Sequence, residues 1–333
     1  MTTDAHAAGE SRDVSWTLDD TTIDATVHFP SDHRATGAGI VFVAGSGPTD
    51  RDWNTPLLPG TNGSARLLAE VFAREGITSI RYDKRASGPR ARQNMPHLMG
   101  KVSMQSHRDE LAGAVRTLAA VPTVRRDRLF AVANSEGTLH ALHYQLQQPE
   151  IPLAGLILIA PPGRSVGAVA RSQIAAQLAP VPGGEAILAM YDAAIARFLA
   201  SQPVDPDPAL PPGIAGLVQG LASPANLPFS RELWLADASP LVRDVDVPVL
   251  VVIGAKDVQV DVHADGEPLQ LAAAGRGHVT FAFPPDANHV LKHEGRPRAE
   301  LSGQAAVSYN APEAVLDPQG VAAILGWLRQ HAE

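Results

Sequence analysis

A chain of 333 residues, 45% of them hydrophobic, can bury one large core or a core with an added layer. A formal net charge of -8, with basic residues dispersed along the chain, excludes the electrostatic footprint of a nucleic-acid-binding protein. The absence of cysteine removes disulfides, thiolate catalysis and cysteine metal sites together, and agrees with a cytoplasmic setting.

Residues 1–13 are polar and acidic, without the apolar stretch of a secretory signal, and residues 1–12 read as a loose tail. No apolar run approaches the ~20 residues of a membrane span, so no membrane partner is expected. Residues 14–18 and 22–29 alternate apolar and polar side chains about Asp19-Asp20-Thr21, the pattern of an antiparallel hairpin. Residues 39–44 form a continuous apolar run, the signature of a strand buried on both faces, and end in Gly45-Ser46-Gly47-Pro48. Residues 64–75 carry Leu67, Leu68, Val71 and Phe72 at helical spacing. A strand at 77–82, a helix at 104–120 and strands at 128–133 and 155–160 follow. This alternation with long crossovers implies an α/β fold with a mostly parallel, doubly wound sheet.

The rhythm breaks at Pro161-Pro162-Gly163. Residues 161–240 contain no convincing strand, and helical spacing appears at 166–178 and 185–200, followed by proline-rich sequence. About eighty residues exceed an ordinary connection of ~2–6 residues, so the stretch reads as a helical cap over the sheet's C-terminal edge. Core elements resume with strands at 247–253 and 278–283 and helices near 268–274 and 318–330. The expected organisation is a core of 13–160 and 241–333 with a cap of 161–240.

Chemistry is sought at the C-terminal ends of the strands, where open α/β sheets place their sites. The strand before Ser135 runs straight into helical sequence, with Ala133 and Gly137 as the small residues that so tight a turn requires. Ser135 is thus a candidate nucleophile on a strained elbow, the alternative being an ordinary helix cap. A hydroxyl needs a base, an orienting group and oxyanion donors. Asp257 follows the strand at 247–253, with Asp261 as its rival. His289 follows the strand at 278–283, with His293 as its rival. The order Ser135, Asp257, His289 is that of a hydrolase triad on such a sheet. The backbone N–H groups of Glu136 and Ser46, with Gly47 as the alternative to Ser46, are the candidate oxyanion donors. A phosphate-binding glycine loop at 45–47 is disfavoured, because it lacks the lysine of a P-loop. Asp50, Arg51 and Asp52 on one loop, and Asp83 and Arg85 on another, are expected to hold the two loops together as ion pairs. A substrate contact by Lys84 or Arg85 is the other reading. Asn134 is expected to shape the floor of the site. No cofactor and no metal are expected.

With these segments in view the chain resembles the α/β-hydrolase superfamily. More narrowly it is similar to bacterial esterases and serine-aminopeptidase-like hydrolases with a Gly-Ser-Gly-Pro-x-Asp-Arg-Asp loop and an Arg-Tyr-Asp-Lys-Arg-Gly-x-Gly loop. Here these stand as Gly45–Asp52 and as Arg81-Tyr82-Asp83-Lys84-Arg85-Ala86-Ser87-Gly88. The usual Gly-His-Ser-Glu-Gly elbow is Ala133-Asn134-Ser135-Glu136-Gly137. The resemblance implies a cofactor-free serine hydrolase, with a small-molecule carboxylic ester (short-chain, aromatic or lactone) as the expected substrate. A peptidase or amidase is the alternative, and it would need a cap acid, from Asp192, Asp205, Asp207, Glu232 or Asp237, to hold a substrate amine. A non-catalytic ligand-binding role comes third. Residues 294–311 could frame the entrance or contact a second subunit, which leaves a homodimer open.

Overall fold

A computed structural model describes residues 9–30, 35–301 and 309–332. Strand β1 (Ser11–Leu18) pairs antiparallel with β2 (Thr21–His28), and β2 pairs antiparallel with β4 (Thr78–Tyr82). The pairing of β1 starts within the stretch expected to be a loose tail, and residues 1–8 lie outside the described residues. The remaining partners are parallel: β3 (Gly39–Val43), β5 (Leu129–Asn134), β6 (Gly155–Ile159), β7 (Val249–Val252) and β8 (Val279–Ala282). The described residues form one eight-stranded sheet in the order β1-β2-β4-β3-β5-β6-β7-β8. Every residue of β3, β5, β6 and β7 is buried, as continuous apolar runs require of strands covered on both faces.

Helices α1 (Ser64–Arg74), α2 (Ala91–Leu98), α3 (Met104–Ala119) and α4 (Glu136–Leu146) accompany the first strands. Helix α2 is not legible in the sequence, because it is short and carries Pro96 inside it. The α3 N-terminus is fixed by a reciprocal capping box between Ser103 and Ser106.

The described residues between β6 and β7 form five helices rather than two: α5 (Val166–Leu178), α6 (Gly184–Leu199), α7 (Pro212–Ala222), α8 (Phe229–Leu235) and α9 (Ala238–Asp244). The proline-rich stretch after 200 shows no helical spacing. Pro212 instead sits in the first turn of α7, where its missing N–H would have had no helical partner. Helices α8 and α9 have seven residues each, too short for a periodicity to emerge. Helices α5 to α8 bury their own apolar cluster, centred on Ile174, Tyr191, Phe198, Val218 and Trp234. By contrast, Ala238 and Val242 of α9 belong to the main core.

The parallel register levels the strand ends. Val43 lies opposite Ala133, Asn134 opposite Ile159, Ile159 opposite Val252, and Val252 opposite Ala282. The next residues of each strand therefore emerge side by side along one edge, and that edge carries the site.

Candidate active site

Ser135 occupies the first position beyond β5 with φ 53° and ψ -123°. A non-glycine residue at positive φ stores on the order of 1–3 kcal/mol and persists only where its surroundings fix it. Here the Ser135 N–H donates to Ile159 O at 2.8 Å. Its carbonyl accepts Thr138 N–H at 2.9 Å and Thr138 Oγ1 at 2.6 Å. The Ser135 hydroxyl makes no capping bond to α4, unlike Ser165, which caps α5 by accepting from Ala168 N–H. Gly137 is required sterically, since a Cβ there would lie 2.6 Å from both Val43 O and Ala44 O. This close approach seats the α4 N-terminus on the end of β3.

The loops after β7 and β8 meet at Gly254, where a Cβ would lie 2.0 Å from Ala287 O. The contact delivers Asp257 to His289: Oδ2 of Asp257 is 2.8 Å from Nδ1 of His289. Asp257 is wholly buried, and its other oxygen accepts the N–H groups of Gln259 at 2.7 Å and Val260 at 3.0 Å. A carboxylate so committed favours the tautomer with the proton on Nδ1, leaving Nε2 of His289 as the free acceptor. The imidazole is seated by its own loop, in which Asn288 Oδ1 accepts Val290 N–H and Lys292 N–H. Asn134 Nδ2, from the strand below, donates to His289 O at 2.9 Å. Tyr309 stacks on the imidazole at 6.5 Å, and burial followed by the nearby Asp257 charge raises its phenol above the ordinary range.

The rivals are occupied elsewhere. Asp261 accepts His263 N–H and Ala264 N–H at the start of a helical turn and pairs with Arg298 at 2.6 Å. His293 lies against Asp317, the cap of the C-terminal helix, at 3.3 Å. Arg298 also donates to the carbonyls of Ala255 and Asp257, so it holds the Asp257 loop from outside. Neither Arg298 nor Tyr309 stood out in the sequence. Both come from the 294–311 stretch, of which residues 302–308 lie outside the described residues.

The loop after β3 runs past the elbow, where a Cβ on Gly45 would lie 3.4 Å from Ser135 Cβ, while Ser46 and Gly47 are exposed. Its continuation is held by charge. Asp50 accepts the N–H groups of Asp52 and Asn54 in a turn. Arg51 pairs with Asp83 at 2.8 Å and with Asp13 at 3.2 Å, and Asp52 pairs with Arg81. Burial and then the Arg51 charge lower the Arg81 guanidinium to about 10. Arg85 pairs with Glu110 at 3.0 Å and Asp19 at 3.3 Å.

Beneath the elbow lies a buried row of titratable groups. Lys84 Nζ is 2.7 Å from Glu136 Oε1, and His140 Nε2 is 3.1 Å from the same oxygen. The His140 ring lies tilted against that of His107, with centroids 4.7 Å apart, and His107 Nδ1 is 3.4 Å from Glu110 Oε2. Burial opposes the Glu136 charge, but Lys84 and then His140 outweigh it and hold the carboxyl well below its ordinary range. Burial lowers His140 to about 4, partly countered by its bond to Glu136. His107, Glu136 and His140 bring ligand atoms within 4.8 Å of one another. The Lys84 ammonium already occupies the shared carboxylate oxygen, so a metal ion there would face a like charge, and the donor set does not fit one.

Residues 40–303 match the family model described as the alpha/beta hydrolase family. The chain belongs to the alpha/beta hydrolase family. Solved structures share its fold at low identity. An esterase of Pyrococcus furiosus aligns with TM-score 0.57 and 16% identity over 98% of this chain and 92% of its own. A proline iminopeptidase of Mycobacterium smegmatis aligns with TM-score 0.55 and 17% identity over 96% and 99%. An alpha/beta hydrolase of a Penicillium species gives 0.55 and 16% over 97% and 99%. No curated protein matches the chain. Among the described residues of this alpha/beta hydrolase, no helix is long and apolar enough to cross a membrane.

Proposed function

We propose that this alpha/beta hydrolase cleaves small carboxylic esters through an acyl-enzyme on Ser135. The observation that carries the reading is the Asp257–His289 pair, tied to the strained Ser135 elbow through Asn134. Ser135 Oγ attacks the ester carbonyl carbon as His289 Nε2 takes its proton, and Asp257 stabilises the imidazolium that forms. The carbonyl oxygen becomes an oxyanion facing the N–H groups of Glu136 and Ser46. The tetrahedral centre collapses with cleavage of the C–O bond, and the imidazolium gives its proton to the departing alkoxide. Water then attacks the acyl carbon with His289 as base, and the carboxylic acid leaves as Ser135 regains its proton.

The helical insertion supports an ester over a peptide amine. Four of its five candidate acids have structural duties: Asp192 pairs with Arg171, Asp207 accepts Ala209 N–H, Glu232 accepts Met104 N–H, and Asp237 accepts Ser239 N–H. The fifth, Asp205, is exposed.

The test is hydrolysis of p-nitrophenyl acetate, butyrate and octanoate by the wild type and by Ser135→Ala, with leucine p-nitroanilide alongside. Turnover of the esters that vanishes in the variant supports the reading. Anilide cleavage without ester cleavage replaces it with a peptidase. A wild type that neither turns over nor reacts at Ser135 with a fluorophosphonate sinks both.

A further inference from the structure

We infer that Lys84 is the positioning residue of the oxyanion hole, setting the direction of the Ser46 N–H and joining it to the elbow. The inference rests on the ester-hydrolase reading above. Lys84 is buried and its ammonium has three protons to place. It donates to Gly45 O at 2.6 Å, reaches Gly47 O at 3.4 Å, and pairs with Glu136 Oε1 at 2.7 Å. One side chain thus holds the loop after β3 and the residue after the nucleophile, the two segments expected to supply the donors.

The consequence follows from peptide geometry. The Gly45 carbonyl and the Ser46 N–H belong to one trans peptide plane and point in opposite directions. A carbonyl drawn into the core by an ammonium therefore turns the Ser46 N–H outward, toward the strand-end edge on which Ser135 stands. Glycine at 45 and 47 gives this loop little conformational preference of its own, and Gly47 sits at φ 83°. Without the ammonium, the Gly45–Ser46 peptide could turn over and present its carbonyl to the substrate in place of its N–H. The other peptides are held by threonines: Thr49 Oγ1 donates to Ser46 O at 2.8 Å, and Thr138 Oγ1 to Ser135 O at 2.6 Å. The Gly45–Ser46 plane is held by Lys84 at 2.6 Å, and the same ammonium reaches the Gly47 carbonyl at 3.4 Å. A substrate contact by Lys84 is disfavoured by its burial and by its three acceptors.

The test compares Lys84→Met, Lys84→Arg and the pair Lys84→Met with Glu136→Gln. The single Met variant leaves the Glu136 carboxylate buried without its cation and can fail to fold. The double variant removes both charges and keeps the test open. For the double variant we expect kcat on p-nitrophenyl butyrate to fall on the order of 10- to 100-fold. That is less than the 10²–10³ typical of deleting a donor outright, because the N–H is loosened rather than removed. KM should stay within about 2-fold and the pH–rate midpoint should not move, since the N–H acts on the transition state and the Asp257–His289 pair is untouched. Lys84→Arg should recover part of the loss. A crystal structure of the double variant should show the Gly45–Ser46 peptide turned or split between two orientations. Unchanged kcat, or a peptide that keeps its single orientation, overturns the inference. An equal rise in KM, or a shifted pH midpoint, does the same by making Lys84 a general support. If the wild type proves inert toward esters and probe, the ester reading fails. The crystal structure then decides the clamp by itself, a turned peptide upholding it and a fixed one overturning it.

Discussion

Asn134 and His289 stand 155 positions apart, yet the Asn134 side chain donates to the His289 carbonyl at 2.9 Å. Asn134 is the residue before Ser135, so the elbow and the His289 loop share one hydrogen bond in a buried setting. The bond sets the height of the histidine loop over Ser135. Asn134→Ala should lower kcat on p-nitrophenyl butyrate about 10-fold with KM little changed, and cost on the order of 1–3 kcal/mol of stability, because a buried carbonyl loses its partner. Kinetics and denaturant unfolding of the same preparation check both. A variant with wild-type kcat would mean that the loop holds its place alone.

The two aspartates after β7 should separate sharply. Asp257→Asn keeps the shape but presents an amide to Nδ1, which favours the wrong histidine tautomer, and a loss in kcat on the order of 10⁴ is expected. Asp261→Asn loses its pairing with Arg298 and weakens a helical turn, so it should change kcat less than about 5-fold. Steady-state rates of the two variants, measured at the same pH, distinguish orienting chemistry from loop support.

Gly137→Ala should fail structurally rather than chemically. The added methyl group would meet two backbone carbonyls at 2.6 Å, and backbone at the end of a central strand cannot move aside cheaply. A loss of several kcal/mol or insoluble expression is expected. Gly213→Ala, on the open side of α7 with nothing near its Cβ, is the matched control and should leave the melting temperature unchanged or slightly raised. Circular dichroism melts of the pair provide the comparison.

Stability should fall in two stages on acidification. His140 has an ordinary value of 6.5 and a folded value of about 4. Above pH 6.5 it is neutral in both states, and its contribution is complete. Between pH 6.5 and 4 the unfolded chain takes up a proton that the folded chain refuses, so stability declines, by an amount on the order of 3 kcal/mol. The Glu136 carboxyl is depressed, so its contribution is present above its ordinary 4.5 and is lost as pH falls below it. His140→Gln should flatten the first stage and keep the second, as read by urea unfolding from pH 7.5 down to about 2.5. A variant whose profile overlays that of the wild type from 6.5 to 4 would remove His140 as the cause.

What the sequence by itself determined lies within reach of neighbouring residues. Continuous apolar runs at 39–44, 155–160 and 247–253 read as strands covered on both faces. The Ala133–Gly137 stretch reads as a tight turn from a strand into a helix, with an ordinary helix cap as the alternative, because periodicity and turn sterics act over a few positions. Their order then implied the parallel sheet and placed Ser135, Asp257 and His289 at strand ends. Five helices where two were legible show the limit of the same signal, since seven-residue segments such as α8 and α9 owe their form to the surface they pack on. Only the tertiary structure decided which aspartate met which histidine, that Arg298 and Tyr309 reach the site, and that Lys84 bridges the loop at Gly45 to Glu136, 52 positions further on. Those pairings depend on strand register and on the meeting of separate loops. A side chain's own sequence surroundings do not encode the partner that the sheet brings beside it.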